Sequence, residues 1–160
     1  MSFSPSSAVI LFHGTTIENA KRIIEEGFRV STYCNETPCK NATMYPSCTT
    51  CTCCMFGECV GFADYDKAVG FAKRTSQRYG RRGEGAVLRC SVNLGKMKTM
   101  KKVECECGCK MPFVDHVGTW IEEGYDSCYC PPDSLPALRR QEWGVADPRR
   151  ITIVEYHACS

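Results

Sequence analysis

No apolar run in this chain approaches the roughly 18 residues of a membrane-crossing helix, so a helical span is excluded. Net charge is low too, only +2 over 160 residues, with 43% apolar and 24% charged residues. Wholesale disorder needs the reverse, low hydrophobicity and high net charge. Met1 to Ser7 place no basic residues ahead of a hydrophobic stretch, so no secretory signal is read and a cytoplasmic location is expected. Internal repeats, linkers and an alternating βαβ signal are all missing. What remains is one domain, 1–160, of the α+β class. At this length a domain buries close to 70% of its unfolded surface.

Cysteine, by contrast, is abundant, with 14 residues. Seven fall between Cys34 and Cys59, in a stretch of about 31–59 that is rich in Thr, Pro and Asn and has no period. Cys105, Cys107 and Cys109 form a second run, followed by His116, and Cys128 and Cys130 make a close pair. Cys48, Cys51 and Cys54 are separated by two-residue gaps, which let one tight turn aim two thiolates at a tetrahedral zinc. Cys48, Cys51, Cys53 and Cys54, closed by Cys105, Cys107, Cys109 or His116, are thus candidate ligands of a structural zinc. Separate buried thiols and disulfides stay open as alternatives. A reducing compartment favours thiols and metal. The glycosylation-type triplets at Asn35 and Asn41 point toward secretion. The stretch reads as an irregular insert that metal or cross-links must order.

Ala8–Phe12 is a compact apolar run, expected as a buried strand that turns at His13-Gly14. Thr15 and Glu18 form a capping-box pattern; Ile17, Ala20, Ile23 and Ile24 then repeat at helical spacing up to Gly27. Asp64 can cap a second helix over 65–79. Strands suit 85–92, 97–104, 126–130, 142–146 and 151–156. The second helix and its exit carry Lys67, Lys73, Arg74, Arg78, Arg81 and Arg82. That basic run could contact phosphates, but with so small a net charge a solvated face is the favoured reading.

Three separated pieces carry the chemistry: His13-Gly14-Thr15 at a strand end, Gly61-Phe-Ala-Asp64 leading into a helix through Phe71, and Glu142-Trp-Gly-Val-Ala-Asp147 on a late strand. Together, and in this order, they resemble the ADP-ribosyltransferase catalytic domain of the diphtheria-toxin and poly(ADP-ribose) polymerase type. Gly124-Tyr-Asp-Ser127, Pro131-Pro132 and Asp147-Pro-Arg-Arg-Ile151 are similar to small stand-alone proteins of that type. The resemblance implies split antiparallel β-sheets with two main helices, and NAD as substrate.

It further implies roles. Glu142 would lower the barrier to nicotinamide–ribose cleavage by facing the oxocarbenium-like cation. His13 would bond the adenosine ribose, and Gly14, followed by Thr15, would hold the nicotinamide amide through its backbone. Phe71, with Phe62, would stack on the nicotinamide ring, core packing being the alternative for Phe71. Where the family carries a tyrosine before Asp64, this chain has Val60-Gly61-Phe62. The expected activity is mono-ADP-ribosyl transfer to a protein or nucleic-acid acceptor. Its rivals are an inactive NAD- or ADP-ribose-binding relative and a zinc-stapled interaction module.

Overall fold

A computed structural model describes residues 8–30, 59–78, 84–100, 102–104, 112–114, 119–132 and 140–159. β1 (Ala8–Thr16) runs straight through His13 and Gly14 instead of turning there. The reason is its partner: β3 (Gly85–Asn93) pairs antiparallel with it from Ala8↔Asn93 to Thr16↔Gly85. α1 (Ile17–Glu26) is capped by Thr16, whose hydroxyl accepts from the Asn19 backbone N–H at 3.1 Å. The N-cap is therefore Thr16, one residue later than the expected Thr15. Gly27, at φ 84°, closes the helix by donating to the Ile23 carbonyl.

β2 (Val60–Ala63) leads through Asp64 into α2 (Tyr65–Arg78), and the Asp64 carboxylate accepts from the Lys67 backbone N–H at 3.0 Å. The strand expected over 97–104 is two, β4 (Met97–Thr99) and β5 (Lys102–Glu104). Met100 breaks it: its N–H turns to the Tyr129 carbonyl and its side chain is buried beside Trp120. β6 (Pro112–Val114) pairs with β5, and α3 (Thr119–Glu122) brings in Trp120; neither was expected. β7 (Ser127–Cys130) and β8 (Glu142–Val145) follow. β9 (Ile151–Cys159) outruns its expected end because β3 pairs with it as far as Gly85↔Cys159.

Seven strands form one sheet in the order β4-β7-β8-β2-β1-β3-β9, with β5-β6 apart. Among the described strands only β4 and β7 pair in parallel. Among the described residues the main sheet is thus a single mixed layer, not two split ones. It is nonetheless almost divided at its centre, since β1 and β2 share one register pair, Phe12↔Ala63. Leu11, Ile23, Val60, Phe62, Leu88 and Val145 fill the core on the α1 side. Ala68, Ala72 and Val87 pack on the α2 side.

The small residues on α2 bring it very close to the sheet. A Cβ on Gly14 would collide with the Ala68 carbonyl, and one on Gly85 would lie 2.8 Å from the Ala72 carbonyl carbon. Gly85→Ala should therefore cost about 2 kcal/mol, as overpacked cores do. The measurement is thermal melting; an unchanged midpoint would show that α2 does not sit this tightly.

Candidate active site

The strand order brings the three separated sequence pieces side by side, as β8-β2-β1. Ala63 is the junction, opposite Phe12 on one side and Glu142 on the other. Directly opposed residues share a face, so Phe12, Ala63 and Glu142 form one row beneath α2. Glu142 is only 6% exposed. Its Oε1 lies 2.6 Å from the Lys67 ammonium, which reaches down from the first turn of α2. Burial pushes the Glu142 carboxyl above its ordinary range, against the pull of Lys67 and then of Arg74.

This contact belongs to a larger strap. The Lys67 ammonium also donates to the Arg140 carbonyl at 3.2 Å. The Arg140 guanidinium in turn bonds Asp64 at 3.1 Å and Asp66 at 3.0 Å. The start of β8 is thereby tied to the start of α2, and with it the orientation of Glu142. Reading the sequence missed Lys67, because it sits in a basic run taken for a solvated face. The available signal was helical spacing: Lys67, Gly70, Phe71 and Arg74 fall on one stripe of α2. Phe71 is 38% exposed, which removes the core-packing alternative. The Arg74 guanidinium lies 5.0 Å and the Lys67 ammonium 5.8 Å from its ring centre.

His13 hangs from the central divide of the sheet. Its Nδ1 donates to the Gly61 carbonyl at 2.8 Å, and its ring meets Phe28 and Phe62 edge-on. Burial holds the imidazole below its usual range in spite of that bond. A neutral ring whose Nδ1 carries the proton leaves Nε2 as an acceptor for a ligand hydroxyl.

Two expected placements change. Phe62 is 3% exposed and packs with His13 and Phe28 on the α1 side. Strand alternation turns it, like the His13 ring it packs on, away from the face of Glu142, so it is core and not a partner of Phe71. Thr15 is buried, with its hydroxyl accepting from the Asn19 side chain at 2.8 Å, and serves the start of α1. Gly14 keeps its place, but its lack of a Cβ is already explained by Ala68.

Every candidate zinc ligand (Cys48, Cys51, Cys53, Cys54, Cys105, Cys107, Cys109 and His116) lies outside the described residues. Among the described residues no group of three or more His, Cys, Asp and Glu could hold a metal. Cys59, Cys128 and Cys130 are instead buried with Met100 and Trp120. Burial drives the Cys130 thiol up to about 12 and Cys128 higher still, so both stay protonated and inert.

No curated protein matches the chain. The family model of the poly(ADP-ribose) polymerase catalytic domain does match, over residues 4–119. That span holds His13-Gly14, β2 and all of α2, and it ends before Glu142, which reaches the site through the pairing of β8 with β2. With most of its length matched and its three separated pieces on adjoining strands, the chain belongs to the poly(ADP-ribose) polymerase catalytic domain family.

Proposed function

We propose that the protein is an NAD-dependent mono-ADP-ribosyltransferase. The observation that carries this reading is Glu142: a buried carboxylate, strapped to α2, on the strand next to the one that anchors His13. Cleavage breaks the bond between ribose C1′ and the nicotinamide nitrogen, and the bonding pair leaves with nicotinamide. The ribose is left with oxocarbenium character, which a preorganised carboxylate in a water-poor site stabilises. The acceptor nucleophile, on a protein or a nucleic acid, then bonds to C1′. His13 would accept a ribose hydroxyl at Nε2, and the exposed Phe71 ring would stack on nicotinamide. The decisive experiment is nicotinamide release from NAD, with mass spectrometry of the modified acceptor.

A second reading has its own support. An ammonium 2.6 Å from Glu142 offsets the very charge that the cation needs, as suits a relative that binds NAD without turning it over. Tight NAD binding with no nicotinamide release would favour this alternative.

Two smaller results should follow. His13→Ala should weaken NAD binding about tenfold, the value of one hydrogen bond; calorimetry showing equal affinity would remove the histidine from the site. Products should carry a single ADP-ribose unit, because Val60-Gly61-Phe62 holds no tyrosine where the family carries one. A ladder on a gel would refute this. We also propose a reducing, cytoplasmic setting for the protein.

A further inference from the structure

Gly61 is a glycine that the fold does not need. Its backbone is ordinary strand, outside the positive-φ region that calls for glycine. A Cβ built on it would meet none of the described residues within 4 Å, so none of them demands that it be bare. Glycine weakens a strand interior, and where bends and packing do not account for it, the close approach of a ligand does.

Register shows where that ligand would lie. Gly61 pairs with Gly144, which pairs with Cys128. On the other side the sheet divides, since β1 pairs with β2 at Phe12↔Ala63 alone. β2 and β8 thus carry glycines in one row, next to the row of Ala63 and Glu142, on the same face. Among the described residues nothing roofs that row over Gly61. Phe62, turned to the other face, puts nothing into the space.

We infer that Gly61 is a specificity-determining residue: it leaves a slot beside Glu142 for a leaving base wider than the single nicotinamide ring. The inference rests on the NAD reading above. Its substrate class is a dinucleotide whose pyridinium carries an aryl group or a second ring.

The test is calorimetry of the whole chain with NAD, and with NAD bearing a phenyl group at C4, C5 or C6 of the nicotinamide ring. At least one analogue should bind within about threefold of NAD. Gly61→Tyr should then weaken that analogue about thirtyfold more than it weakens NAD, and Gly61→Ala should do so by a smaller factor. Since an added Cβ meets no neighbour, neither variant should melt below the wild type; should the tyrosine fail to fold, alanine decides. Normal NAD binding with all three analogues weakened about a hundredfold would overturn the slot alone. Failure of NAD itself to bind the wild type is a different result and would overturn the reading beneath it.

Discussion

Replacing Glu142 with glutamine should lower nicotinamide release by about 10²–10³-fold, the usual loss when one preorganised electrostatic group is removed. The amide keeps the size of the side chain and can still accept from Lys67, so the fold should survive. Only the negative charge facing the developing cation is lost. The effect should accordingly fall on kcat, with NAD affinity close to that of the wild type. Unchanged turnover would take Glu142 out of the mechanism. A loss seen only in KM would reassign it to ground-state binding.

The second large effect concerns stability. Lys67 and Glu142 have side chains only 12% and 7% exposed. Lys67→Met should cost about 3–5 kcal/mol near neutral pH, because removing one partner strands a buried charge. Adding Glu142→Gln should recover much of that loss, which a merely space-filling role for Lys67 would not produce. The pH dependence has a definite sign. Burial already raises the Glu142 carboxyl above its unfolded value, and losing the ammonium raises it further. A group raised on folding contributes stability at low pH and loses it as pH climbs through the folded value. Denaturant titrations should therefore show the Lys67→Met penalty shrinking on acidification. In the wild type, activity needs the ionised carboxylate, so the acid limb of the rate profile should lie above the ordinary glutamate value of about 4.3. An acid limb at that ordinary value would show that burial does not govern the active form.

Much of this was legible from residue order. Apolar periodicity located β1, α1, α2 and β3, and the run around Glu142 located β8, while β2 was implied only by the family resemblance. Three features were not legible, each for a physical reason. Lys67 and Glu142 meet across a long stretch of chain, and no local pattern records a pairing that only the sheet order creates. Phe62 looked like a ring-stacking residue because a four-residue strand does not reveal which of its alternate positions faces the site. The Thr15/Thr16 ambiguity is the usual one-residue uncertainty at a helix start, settled by which hydroxyl reaches the Asn19 N–H. The zinc expectation lies wholly outside the described residues.

The order of the strands also bears on how the protein folds. β1 pairs Ala8 with Asn93 and Phe12 with Ala63, and β3 in turn pairs Val92 with Ile151. Each contact closes a long loop, and chains dominated by such distant contacts fold in roughly milliseconds to seconds, not microseconds. On a ribosome, the central strand emerges long before its partners and must wait for them. The carboxylate of Glu142 takes its place beside β2 only after β8 has been synthesised, so a chain cut short of β8 lacks the Lys67–Glu142 contact.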